Sequence, residues 1–142
     1  MLIDTRSRTP QEMYRLMSGI VVPRPIAWIS TLSGAGLVNL APFSCFTFVS
    51  NSPPMIGVNI GRKAGKEKDT ARNIRRAGDF VVNIGTLSMT DLIHSSAIEF
   101  PEDESEVDAL GLETVASVGI AAPRLKIAPI SMECRLERVI EF

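Results

Sequence analysis

Apolar and polar positions change period several times along this chain, and each change predicts an element. Thr9-Pro10-Gln11-Glu12 combines a capping Thr, a Pro suited to the first helical position and a Glu that returns a bond to the cap, which predicts a short helix ending near Ser18-Gly19. From Pro25 the period falls to two. Ile26, Trp28 and Ser30 take one face and Ala27, Ile29 and Thr31 the other. Ser33-Gly34-Ala35-Gly36 then reverses the chain into a return strand over residues 37–44, and residues 46–50 and 55–60 predict further strands around the turn Asn51-Ser52-Pro53-Pro54.

A basic loop over residues 61–68 leads into a predicted helix with Asp69 as its cap, Arg75 and Arg76 in its last turn and Gly78 behind it, the order a helix dipole favours. Residues 79–85 return to strand and residues 88–98 to helix. Residues 99–108 hold six acids and no base, which predicts a solvated loop. Strands resume after Leu110. The alternation of Ile130, Met132, Cys134 and Leu136 with Ser131, Glu133, Arg135 and Glu137 predicts a sheet with one wet face. Many strands with short, dispersed helices predict a mainly β fold, a small barrel with helical decorations, in a single domain over residues 1–142.

Composition narrows the function classes. The 142 residues carry a formal charge of −1, so no overall basic excess suits a nucleic acid. Apolar runs are broken well short of a membrane span, and the amino terminus lacks the pattern of a secretory signal, so the expectation is a cytoplasmic protein that engages no membrane. Cys45 and Cys134 are then expected to be free, reduced and buried. Charge is unevenly placed: seven bases fall between Arg62 and Arg76 against only Glu67 and Asp69.

Familiar catalytic motifs do not fit. Gly61-Arg62-Lys63-Ala64-Gly65-Lys66-Glu67 is one residue short of a nucleotide-triphosphate loop and puts Glu where a metal-binding hydroxyl belongs. Gly34-Ala35-Gly36-Leu37-Val38-Asn39 lacks the third Gly of a dinucleotide fingerprint and sits in a hairpin. His94 is the only histidine, which argues against a zinc site and, with no Gly-x-Ser-x-Gly elbow, against a serine hydrolase. The basic segment remains. Arg62, Lys63, Lys66 and Lys68 before a helix whose first turn offers N–H groups and the Thr70 hydroxyl are parts of a phosphate site, and equally of a solvated charged loop. Trp28 reads as core or interface packing.

Four motifs in order, Pro23-Arg24-Pro25-Ile26-Ala27-Trp28-Ile29-Ser30-Thr31, Asn39-Leu40-Ala41-Pro42-Phe43-Ser44, Ser52-Pro53-Pro54-Met55, and Lys68-Asp69-Thr70 with Asn73, resemble the flavin reductase-like family of FMN-binding split β-barrels. The resemblance runs over residues 21–136. It implies a homodimer holding FMN near the subunit interface, with the phosphate against Lys68, Thr70, Ser30 and Thr31 and with Arg62 or Lys63 nearby. The isoalloxazine would rest on Ala41, Pro42, Ser44, Cys45 and Phe46, with backbone N–H from residues 44–46 near its N5–O4 edge. Asn73 would reach the cofactor or brace that loop. The implied activity is NAD(P)H:flavin reduction, with NADH or NADPH as co-substrate and a partner flavin-dependent monooxygenase or other electron acceptor. An FMN-holding electron carrier and a cofactor-free interaction module are the alternatives. Cys45 and Thr47 depart from the bulkier or amide residues common in the family, and family members carry a C-terminal tail beyond this length.

Overall fold

Strand β1 (Ala27–Leu32) is apolar at odd and even positions alike, and such a sequence needs cover on both faces. In the computed structural model, which describes residues 2–62, 65–101 and 103–141, β1 has that cover. Ala27, Trp28, Ile29, Ser30 and Thr31 are fully buried. With β2 (Val38–Phe43), β5 (Asp79–Ile84) and β8 (Ile130–Arg135) it forms an antiparallel sheet in the order β2-β1-β5-β8. Strands β3 (Phe46–Asn51) and β4 (Pro54–Val58) make a separate ribbon, and β6 (Thr114–Val115) pairs with β7 (Arg124–Leu125).

Two cores follow, one on each face of the sheet. Ala27, Ile29, Phe43, Phe80 and Val82 pack with Ile74 of helix α2 (Asp69–Ala77) and with Phe46, Ile56 and Val58 of the ribbon. Trp28 and Leu40 on the opposite face pack with Met89, Val107 and Leu125. Trp28 is thus core, its Nε1 donating to Ser96 Oγ at 2.8 Å. Asn83 holds this second face together. Its Nδ2 donates to Trp28 O and Ser30 Oγ at 3.1 Å each, and its Oδ1 accepts Leu125 N and Ser131 Oγ at 3.0 Å each. A fully buried amide that makes all four of its bonds satisfies itself and pins three segments, β1, β7 and β8, to its own strand.

Helices begin where local signals place them, with two corrections. Helix α1 (Pro10–Ile20) has the expected capping box, Thr9 N donating to Glu12 Oε2 at 2.8 Å and Glu12 N to Thr9 Oγ1 at 3.2 Å. It runs one residue past Gly19. In α2 the cap position is Lys68, without a side-chain cap bond, and Asp69 is the first helical residue, ion-paired with Arg72. Gly78, at φ 75°, closes α2 with its N–H on Ile74 O at 2.8 Å. Helix α3 (Thr90–Ser95) follows a 3-10 turn at Leu87–Met89 and is shorter than expected, ending where Ser96 turns in to meet Trp28 and donates to Ile93 O.

The acidic stretch is not simply solvated. It contains helix α4 (Glu106–Ala109), with Ser105, Glu106 and Val107 buried. Strand β2 is an edge, so its outward groups need partners. Ser105 Oγ donates to Val38 O at 2.7 Å, and Leu40 N donates to Glu106 Oε2 at 2.9 Å. The polar face of β8 is only partly wet, with Arg135 exposed and Glu133 covered. Glu133 accepts Val118 N and Gly119 N at 2.8 Å, while Asp79 beside it accepts Ala121 N at 3.1 Å and Ala122 N at 3.3 Å, so loop 117–122 lies over it. No helix among the described residues is long and apolar enough to cross a membrane.

Candidate functional site

Antiparallel register sets Thr31 opposite Asn39, Ile29 opposite Ala41 and Ala27 opposite Phe43, so these side chains share one face. Helix α2 lies on that face with Thr70, Asn73 and Ile74 buried. Thr70 Oγ1 donates to Asn39 Oδ1 at 3.1 Å, Thr31 Oγ1 reaches the same oxygen at 3.4 Å, and Asn73 Nδ2 donates to Thr31 Oγ1 at 3.1 Å. The Asn73 bond ties α2 to β1 through Thr31 and not to the 41–46 turn. The Thr70 hydroxyl is likewise turned inward.

The N-terminal end of α2 is open. The first intrahelical bond runs from Arg72 N to Lys68 O at 3.1 Å, so the N–H groups of Asp69, Thr70 and Ala71 have no partner within the helix. Lys68 Nζ sits 5.4 Å from the centroid of the Phe43 ring, a cation–π distance. That contact brings the start of α2 to the end of β2. The turn that follows is anchored from both sides: Arg24 Nε donates to Ser44 Oγ at 3.3 Å, and Asn59 N donates to Cys45 O at 2.8 Å. Arg24 Nη1 also binds Ser18 O at 2.5 Å and Val21 O at 2.7 Å, tying the turn to the end of α1.

The residues singled out from sequence thus separate into groups. Thr31, Ala41, Lys68, Thr70 and Asn73 converge at the seam between β1, β2 and α2, and Ser44, Cys45 and Phe46 continue it along the turn. Ser30 does not join them. It faces the other core, donating to Pro123 O at 2.6 Å and accepting from Asn83, because neighbours on a strand point to opposite faces. Pro42, paired with Trp28, shares that opposite side. Arg62 is exposed and ion-pairs with Glu141 at 3.9 Å, in a surface group where Arg75 reaches both Glu141 and Glu67 at 2.7 Å. Lys63 lies outside the described residues.

Cys45 is exposed, against the expectation of a buried thiol, and presents its sulfur at the turn. Cys134 is half-buried, and burial pushes its thiol up from the ordinary range, with a smaller opposing pull from a backbone bond to Val82. Arg24, Asn39 and Glu106 are the residues that sequence reasoning did not assign to the site. Ser105-Glu106-Val107-Asp108, a capping Ser with an acid three residues on around an apolar residue, was the available signal for α4. Among the described residues no group of three His, Cys, Asp or Glu side chains could hold a metal ion.

The sequence profile of the flavin reductase like domain covers residues 17–142. Over 132 residues the chain is 42% identical to the uncharacterized protein YwrF of Bacillus subtilis, covering 93% of this chain and 64% of that protein, so it spans a little under two-thirds of that relative's length. Nitrilotriacetate monooxygenase component B from Bacillus cereus superimposes with a TM-score of 0.93 at 39% identity, covering 97% of this chain and 68% of that one. The 2-nitrobenzoate 2-nitroreductase NbaA of Pseudomonas fluorescens gives 0.90 at 33% identity, covering 100% and 68%. The fold, one sheet and one ribbon around a shared core, is the split β-barrel. On its sequence and its fold, this chain belongs to the flavin reductase-like family.

Proposed function

We propose that this chain binds FMN along the seam between α2 and the β2–β3 turn and acts as an NAD(P)H:flavin reductase that supplies reduced flavin to a partner oxygenase. The observation that carries the reading is Lys68, a cation held over Phe43 at the uncapped start of α2 and next to a turn fixed by Arg24 and Asn59. The donor set fits a planar, anionic cofactor. Lys68 and the main-chain N–H groups of residues 69–71, that of Thr70 included, offer an ammonium and a helix end to a phosphate. Ala41, Ser44, Cys45 and Phe46 offer a fixed, mostly small surface to a flat ring, while Thr31 and Asn73 hold α2 in place behind it.

Bound flavin supplies the hydride chemistry, and the protein need only bind and orient it. The residues here suit that division: main-chain N–H groups of residues 44–46 would serve the ring edge, and no acid–base pair is required. Supply to an oxygenase is supported by the similarity to a monooxygenase component B. A second copy of the chain completes the reading. Helix α1 carries Met13, Leu16, Met17 and Ile20 at helical spacing, yet none of its residues is buried, and β3 leaves Phe48 77% and Val49 59% exposed.

The test is the visible spectrum of the full chain before and after addition of FMN, followed by anaerobic NADH or NADPH. Bleaching of protein-bound flavin is the expected result. Bound flavin that neither nicotinamide bleaches overturns the reductase in favour of an electron carrier, and failure to take up FMN overturns the site.

A further inference from the structure

We infer that Glu106 is a positioning residue for the proposed flavin site: acting through Asn39, it sets the direction of the Thr31 and Thr70 hydroxyl protons and so fixes the first turn of α2 against the sheet. The inference rests on the flavin reading of that seam. Glu106 lies on α4, which packs on the outer edge of β2, and is 9% exposed. A carboxylate offers acceptors only. With Leu40 N on Oε2 at 2.9 Å, the group on Oε1 at 2.7 Å must be the Nδ2 donor of Asn39. That choice turns Asn39 Oδ1 toward α2 as an acceptor. Thr70 Oγ1 at 3.1 Å and Thr31 Oγ1 at 3.4 Å then both direct their protons onto it. The Thr31 oxygen is left to accept from Asn73 Nδ2 at 3.1 Å.

One polarity therefore runs from α4 through β2 to β1 and α2. Thr31 is fully buried, Thr70 is 2% exposed and Asn73 4%, so at the α2 end of this chain of bonds water cannot replace a lost partner, while Asn39 itself is half-buried. The consequence for the site is specific. The side chain of Thr70 is committed to the protein, and an anion at the start of α2 meets Lys68 and main-chain N–H groups rather than the Thr70 hydroxyl.

Two substitutions reverse and restore this polarity. In Glu106→Gln the new amide must give its oxygen to Leu40 N–H, so its nitrogen faces Asn39, whose amide turns over and drives the threonine protons outward. Asn39→Asp alone sets two carboxylates face to face. In the double variant the new carboxylate at position 39 accepts from the new amide at position 106 and from both threonines, as the native oxygen does.

FMN affinity of the full chain, by flavin fluorescence titration, is expected to fall about tenfold in each single variant and to recover to within about threefold in the double. Thermal midpoints of the same samples should show the same recovery. Single variants that bind FMN like the wild type, or a double variant as weak as the worse single, overturn the inference. No FMN uptake by the wild-type chain overturns the flavin reading and with it the positioning role, while the midpoints still decide the polarity: recovery supports it and additive losses overturn it.

Discussion

Lys68 is the residue at which phosphate recognition can be separated from ring recognition. Removing its ammonium takes away a charge-assisted contact but leaves the turn and the Phe43 core in place. Lys68→Ala is expected to weaken FMN binding about tenfold and riboflavin binding less than about twofold, measured by calorimetric titration of both ligands. Equal losses would place the phosphate elsewhere. Asn83 carries stability instead. Asn83→Leu strands the Trp28 carbonyl and the Leu125 N–H in a dry core and takes one partner from the Ser30 and Ser131 hydroxyls, an expected loss of about 3 kcal/mol read from the urea midpoint. The sequence could show Asn83 only as one polar residue in an apolar strand, because its partners lie 42 to 55 residues away in the chain. Ser30 taught the same limit in reverse. Period two was visible, and it already implied that Ser30 and Thr31 could not serve one site.

Elements were legible where their signals are local. The capping box of α1 and the Gly78 terminus of α2 depend on residues within one turn, and both stand as expected. The burial of α4 and the loop over β8 were not legible, although α4 carries a local cap signal, since composition treats acids as solvated unless a distant backbone is known to receive them. Glu133 shows what such a partner does. Backbone N–H groups of Val118 and Gly119 hold its carboxyl below the ordinary value of 4.5, with Arg124 adding a smaller pull and burial opposing. A folded value below the unfolded one means that this stabilisation is complete above about pH 4.5 and is lost as pH falls through the folded value. The gap in melting temperature between the wild type and Glu133→Gln should therefore be open at pH 7 and close on acidification, and a gap that does not change with pH would show that loop 117–122 is held by something else.

At the scale of the whole molecule the sheet divides labour between its faces. The Trp28 face is closed by Asn83 and short helices, whereas the Thr31 face meets α2 and opens toward the turn at Ser44. Apolar side chains of α1, and Phe48 and Val49 of β3, lie outside both cores. If a second copy covers them, Met17→Glu should convert the dimer to a monomer in sedimentation and leave the thermal midpoint at low protein concentration nearly unchanged. A wild-type chain that sediments as a monomer removes that partner.

The docking of α4 on β2 has a further consequence. Ser105 and Glu106 occupy the outward carbonyl of Val38 and the outward N–H of Leu40, the groups through which a foreign strand would otherwise add. A chain that has lost this cover, by substitution or by local opening, presents a ready template to its neighbours, and its fate in concentrated solution is set by templated growth into β-rich aggregates rather than by global unfolding.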